Sequence, residues 1–417
     1  MLYADRLIVY EECLGGLAAF QLGGRAVERI EAGLEWAMRI GERYGRALWA
    51  DRQEAGKKVF LDLSPDARPV PFAAFVSAFQ RALERGEALA SGGRAARMAE
   101  RFRAALVEAV RRTGGDCARV RFEGPELAGV PGNDDPGPPF AERYALPDIM
   151  LEAPDASALE AGEFLPVLSR VHHHMPVWGW LFCFHDDRAG LDAGLRRFLE
   201  GGRAYALMAS LEVGRRNKGF YDFPGPVVEL SRASGRPRDQ VIRASELEVA
   251  LEGGRLVLRR APGGPEVVLY FSMADEAEHP PYAVFGLPPV LQVPLRLGAH
   301  TPRIELGGLV YQRERWEADI SGWAGRGGFE LLVCAARTRL ALGAPECVYA
   351  RRKGERKPFF LDFGNYVREE LLAAEAAADP HDEYTEMLPG PGGLWLRGGA
   401  GRYTCELRAG AFGRADE

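Results

Sequence analysis

Several kinds of site are missing from this sequence. No Gly-rich loop ends in Gly-Lys-Ser/Thr, no Gly-x-Ser-x-Gly elbow occurs and no His-Glu-x-x-His pair is present, so phosphate-cradling loops, serine-hydrolase elbows and zincin helices are not written in their usual form. The six cysteines (Cys13, Cys117, Cys183, Cys334, Cys347, Cys405) are scattered, with no Cys-x-x-Cys pair. That argues against a disulfide framework or a thiolate metal knot and fits reduced thiols in a cytoplasm. No apolar run approaches the roughly 18 residues needed to span a bilayer. The opening Met1-Leu2-Tyr3-Ala4-Asp5 lacks the basic head and apolar core of an export signal. An excess of positive charge is lacking too: the net charge of −6 gives no global attraction to phosphate, so any RNA contact has to be a local patch.

What is present is ordinary for a globular protein, with 47% apolar and 27% charged residues over 417 positions. That length suits one large domain or two to three smaller ones. Leu2 to Tyr10 alternates like a strand, and a chain that opens in mid-element is expected to be a fragment or a split subunit. Val27, Ile30, Leu34, Ala37 and Met38 recur at helical steps. Two further helices are predicted over Pro71 to Arg85 and Arg94 to Arg112, the latter stopped by Gly114-Gly115. The Pro- and Gly-rich stretch from Gly124 to Pro139 cannot sustain a helix or a central strand and marks a boundary. Strands are predicted at 148–155, 177–184 and 205–213, and a three-stranded meander at 247–251, 255–259 and 267–271 with tight Gly turns. The last section reads as strands near 303–306, 309–313, 347–352 and 357–363 with a helix from Tyr366 to Ala376. The expected class is α+β, with several mixed or antiparallel sheets and packed helices. Three parts are expected: a helix-rich 1–130, an α+β 140–290 carrying the meander, and an α+β 291–417.

Candidate chemistry is concentrated in four places. His172, His173, His174 and His185 lie beside Asp186 and Asp187, donors that suit zinc or iron. Consecutive histidines point in different directions, however, and a polar loop before a buried strand is the simpler reading; no metal is expected. Arg94, Arg97, Arg101, Arg103, Arg111 and Arg112 lie on one helix, either as a phosphate patch or as a solvated face balanced by Glu100 and Glu108. Arg215, Arg216 and Lys218 crowd one loop. Arg351, Arg352, Lys353, Arg356 and Lys357 form the densest basic run.

The ordered steps Pro302-Arg303-Ile304, Leu309-Val310-Tyr311, Arg315-Trp316, Pro358-Phe359-Phe360-Leu361-Asp362, Glu386-Met387-Leu388-Pro389 and Leu394-Trp395-Leu396 resemble the aminoacyl-transferring region of lantibiotic dehydratases, in its later half. Enzymes of that family glutamylate Ser or Thr of a precursor peptide from charged tRNA and then eliminate glutamate. The resemblance implies Asp5 as a catalytic residue, and Arg215, Arg216, Lys218, Arg351 and Arg352 as contacts for tRNA or the acyl group. It implies aminoacyl-tRNA as co-substrate with no other cofactor, a precursor peptide as partner, and a companion chain supplying the earlier half. An aminoacyl ester is already activated, so the transfer needs mainly positioning, a base and charge stabilisation, which leave a weak trace in sequence. One departure stands out: Gly179-Trp180-Leu181 occupies the place where the family often holds Gly-Arg-Phe. An indole cannot pair bidentately with phosphate or carboxylate as a guanidinium does, so the alternative is a non-catalytic scaffold or precursor-binding subunit.

Overall fold

The computed structural model describes residues 22–87, 93–112, 118–122, 143–172, 187, 189–190, 193–194, 197, 208–212, 225–230, 233–270, 279–352, 357–376, 381–399 and 401–413. The strand expected over residues 2–10, the one over 177–184 and the Arg215–Lys218 loop lie outside them.

The first helix, α1, runs from Arg25–Leu63, about 58 Å at 1.5 Å per residue. Its apolar side does not face one core. Ala26 and Ile30 enter a cluster with Ile149 and Trp395, Ala37, Ile40 and Ala47 a second with Phe102 and Tyr311, and Val59 and Phe60 a third with Phe72, Phe75 and Val284. Helices α2 (Phe72–Glu84) and α3 (Arg94–Arg112) pack along it with the boundaries their periodicity predicts. The α3 start is capped from outside the helix: the Asp51 carboxylate accepts hydrogen bonds from the Arg94 and Ala95 N–H groups at 2.8 and 3.0 Å. Such a cap satisfies donors that a helix start otherwise leaves unpaired.

Glycines in the interior of α1 cost helix stability, and their use lies in close approach. A Cβ on Gly45 would meet the Pro289 carbonyl oxygen at 1.4 Å and one on Gly41 the Leu291 oxygen at 2.7 Å. The helix surface is therefore shaved where the extended segment 286–297 crosses it.

The architecture is α+β as expected, with mixed and antiparallel sheets and, in addition, one parallel sheet. A seven-stranded sheet takes Arg119–Phe122, Arg143–Glu152, Leu165–His172, Arg303–Leu306, Leu309–Gln312 and the C-terminal strands, so strands from all three expected portions share it. A five-stranded antiparallel sheet orders His300–Thr301, Arg315–Asp319, His381–Glu386, Cys347–Arg352 and Phe359–Asp362. A four-stranded parallel sheet holds Met208–Glu212 between Val268–Tyr270 and Val227–Glu229, with Val241–Arg243 at its far edge.

The predicted meander is corrected in one respect. Leu247–Glu252 and Arg255–Arg260 form the antiparallel pair, but the third strand, Val268–Tyr270, joins the parallel sheet against Met208–Glu212. After two ladder bonds, from the Arg260 N–H to the Pro265 carbonyl and from the Val267 N–H to the Leu258 carbonyl, the chain departs. The next position on this edge, Leu256, is already taken: the Gln53 side chain of α1 accepts from its N–H at 2.8 Å and donates to its carbonyl at 3.3 Å. The vacant edge of Leu247–Glu252 is taken by Val70–Pro71.

Candidate functional site

The five-stranded sheet has two different faces, and strand alternation decides which residue lies on each. Trp316, Ala318, Val348, Ala350, Leu361 and Tyr384 point into a core covered by the Gly328–Leu342 and Tyr366–Ala376 helices. Their chain neighbours Arg315, Tyr349, Arg351, Glu383 and Thr385 point the other way and line a cavity of about 610 Å3. Register aligns them: Arg315 and Tyr349 flank Thr385, and Arg351 sits beside Glu383. The remaining wall is Met150, Leu168, Ser169 and Gln312 from the seven-stranded sheet, Arg313 from the connection between sheets, Pro358, and Gln292, Pro294, Leu295 and Arg296 from the extended segment.

That extended segment has no strand partner of its own, so side chains hold it. The Val293 N–H donates to the Tyr311 hydroxyl at 2.6 Å and that hydroxyl donates to the Val293 carbonyl at 3.2 Å. Gln312 accepts from the Leu295 N–H at 3.0 Å and donates to the Leu295 carbonyl at 2.8 Å. Burial pushes the Tyr311 phenol far above its ordinary pKa, so it remains a neutral clamp. One residue further on, Arg296 projects into the cavity.

Four guanidiniums, Arg296, Arg313, Arg315 and Arg351, line the cavity against a single carboxylate, Glu383. Glu383 accepts from Arg351 at 2.6 Å, from Arg296 at 3.2 Å and from Arg315. Burial alone raises its pKa, but Arg315 and Arg351 outweigh burial and hold it below the ordinary carboxylate range. For Arg315 the balance is reversed: burial outweighs Glu383 and lowers its pKa. A guanidinium starts so high that it stays charged at neutral pH. Arg315 is also underused, because its Nε and Nη1 are buried and meet no acceptor among the described residues. Buried N–H donors are nearly always paired. Arg313 is oriented by the Leu388 carbonyl, which accepts from its Nη2 at 2.7 Å and its Nε at 3.1 Å.

The arrangement can bind an anion and is poorly suited to proton transfer. Guanidiniums in a half-enclosed cavity grip carboxylate or phosphate by charge-assisted, often bidentate, hydrogen bonds. Glu383, kept ionised and shared among three cations, makes a weak base. A second cavity of about 620 Å3 between α1 and the Leu407–Ala411 segment is largely apolar, with Glu31, Glu35 and Glu42 on its rim; the Arg39 it contains is paired with Glu35 at 2.6 Å. It offers no comparable cluster of cations.

Of the residues that the sequence pointed to, Arg351 enters the cavity, while Arg352, one step along the strand, turns to the covered face near Asp382, with Nε at 3.8 Å. Asp5, Arg215, Arg216 and Lys218 lie outside the described residues. So does all of the histidine-rich stretch between His173 and Asp186. His172 pairs with Asp148 at 2.8 Å, and no His, Cys, Asp or Glu group among the described residues could hold a metal. On α3, Arg103 is tied to Glu100 at 2.5 Å and Arg111 lies 3.9 Å from Glu108, the balanced-face alternative for those two arginines. Arg296, Arg313, Arg315 and Glu383 were not marked as site residues; the available signal was the same-face spacing of Arg313 and Arg315 beside a strand carrying Glu383 and Thr385.

No protein-family model and no curated protein matches the chain. Solved structures do. The glutamylation domain of TbtB from thiomuracin biosynthesis superposes with a TM-score of 0.58 at 19% identity, covering 93% of this chain and 50% of that one. The same domain bound to 5'-phosphodesmethylglutamycin gives 0.60 at 20% identity over the same shares. The tRNA-dependent lantibiotic dehydratase MibB from Microbispora sp. 107891 gives 0.54 at 21% identity, covering 69% of this chain and 30% of that one. The fold is therefore that of the glutamylation region of lantibiotic dehydratases, and the chain spans half or less of the solved structures it matches. Among the described residues no helix is long and apolar enough to cross a membrane.

Proposed function

We propose that this chain takes part in modifying a ribosomally made precursor peptide, as a split subunit of an aminoacyl-tRNA-dependent transferase of the lantibiotic-dehydratase type. The observation that supports this reading is the cavity with four guanidiniums against one carboxylate, two N–H-bearing atoms of Arg315 being without an acceptor. In the transfer, a Ser or Thr hydroxyl attacks the aminoacyl ester carbonyl, its proton passes to a base, and the tRNA terminal ribose hydroxyl leaves. The arginines bind the anionic portion of the charged tRNA, its terminal phosphates or the side-chain carboxylate of the carried amino acid, and offset charge on the carbonyl oxygen as it develops. Glu383 holds the guanidiniums apart in a fixed fan. The base comes from elsewhere, with Asp5 the residue that the sequence resemblance offers. Arg215, Arg216 and Lys218 extend the tRNA contact. In this reading a companion polypeptide completes the transferase.

Gly179-Trp180-Leu181, in place of the family's usual arginine-bearing step, favours a second reading, a non-catalytic scaffold that binds the precursor peptide. Binding of aminoacyl-tRNA, measured by filter retention with and without the companion, separates the two. The transferase reading expects salt-sensitive binding that Arg351→Ala weakens by about tenfold, or about 1.4 kcal/mol, and Arg351→Lys restores in part. Tight retention of precursor peptide without tRNA affinity would leave the scaffold.

A further inference from the structure

The Gly328–Leu342 helix covers one side of the five-stranded sheet with very little of its own surface: only Leu331 and Ala335 of its fifteen residues are buried. Its outer side is apolar. Phe329 is 79% exposed and Leu340 68%, the two most exposed large hydrophobic residues described. Ala336 is exposed and Leu332 and Val333 are half-buried. Phe329, Val333, Ala336 and Leu340 fall at steps of four, three and four, a single stripe on a 3.6-residue helix. Solvated helix faces are normally polar, and a contiguous exposed apolar stripe marks an interaction surface.

We infer that this stripe pairs with the same stripe of a second copy of the chain, the two Gly328–Leu342 helices lying antiparallel across a two-fold axis. Two features of the helix favour a second copy over an unrelated partner. The four–three–four spacing reads identically in both directions, so reversing one helix sets Phe329 beside the other copy's Leu340 and Val333 beside its Ala336. A two-fold interface requires this self-complementarity. Glu330 and Arg337 lie seven residues apart on one flank of the stripe, and both are exposed. In an antiparallel helix pair, like flanks meet, as they do in antiparallel coiled coils. Each Glu330 then faces the Arg337 of the other copy, twice about the axis. Among the described residues, the one cation beside Glu330 is Arg326 at 3.7 Å, a separation beyond hydrogen-bond range. One helix face is smaller than the roughly 800 Å2 per partner of a standard interface, so the association is expected in the micromolar range unless neighbouring surface joins it.

The pairing is independent of the transferase reading, since it concerns mass rather than tRNA. Sedimentation equilibrium of the full chain from low to high micromolar concentration is expected to show a monomer–dimer equilibrium. Phe329→Glu or Leu340→Glu weakens it by at least about tenfold, with an unchanged circular-dichroism melt because both side chains are exposed. The decisive arm uses charge reversal: E330R and R337E each weaken self-association, and mixing the two variants restores it, because only the mixed pair sets unlike charges opposite each other at both contacts. A chain that stays monomeric throughout, including one that binds only a different polypeptide, overturns the inference, as do single reversals that leave the dimer intact.

Discussion

On the two faces of the five-stranded sheet, polar groups are handled in opposite ways. The face toward the cavity is crowded with charge, yet Glu383, the carboxylate among the described residues that line the cavity, is satisfied three times over by Arg296, Arg315 and Arg351. The face toward the helices is packed with Trp316, Val348, Ala350 and Leu361, yet it encloses Glu369, fully buried with neither carboxylate oxygen hydrogen-bonded among the described residues, and a Tyr384 hydroxyl in the same condition. Charge that is networked tolerates burial, whereas a lone polar group in an apolar layer shifts its protonation or costs stability. Apolar packing is therefore concentrated on one face and networked charge on the other.

Substitutions on the two faces should separate these roles. The largest effect is expected from Tyr384→Ala, which removes a fully buried ring from the covered face and should destabilise by about 3–5 kcal/mol in denaturant unfolding. Tyr384→Phe keeps the ring, discards an unsatisfied hydroxyl and should be neutral or stabilising; a large loss there would mean the hydroxyl has a partner. On the open face, Glu383→Ala strips the partner from Arg315, whose side chain is 8% exposed, and should cost about 3 kcal/mol. It should do so while raising, per folded molecule, the affinity for small anions, since Glu383 is the only carboxylate among the described residues lining the cavity.

A pH slope tests the covered face without removing its packing. Burial first and the nearby Asp362 second push Glu369 up to about 7. Its folded-state pKa lies above the ordinary value of 4.5, so its contribution is fully present below about 4.5. That contribution is lost as pH rises through about 7. Thermal melts of Glu369→Gln should lack this decline, and a parallel pH profile in the variant would mean the carboxyl does not titrate there.

Much of the scaffold was legible because its period was clear. The α2 and α3 helices and the strands at 303–306, 309–312 and 347–352 sit where alternation and helical spacing place them. The order of steps in the last quarter was enough to resemble a family whose solved domains share the fold. The meander failed at its third strand because a strand's partner is a tertiary decision: Val268–Tyr270 has the residues of an antiparallel neighbour and joins Met208–Glu212 instead, while Gln53 from α1 fills the Leu256 position it would have faced. The site was half legible for a related reason. A basic run is visible in sequence, but adjacent residues on a strand face opposite sides, so Arg351 and Arg352 were bound to part company. Arg296, Arg313 and Glu383 meet Arg351 only through the packing of separate segments, which no local pattern announces.

The crossing at Gly41 and Gly45 ties distant parts of the molecule together. Arg296 owes its place to a strap whose seat is cut into a helix on the far side of the cavity wall, so a methyl group added at Gly45 would lift the Pro289 crossing point and tilt the cation with it. Ligand affinity should then drift under mutations in α1 that touch neither ligand nor arginine, and a survey of variants confined to the cavity lining would overlook the residues that set its width.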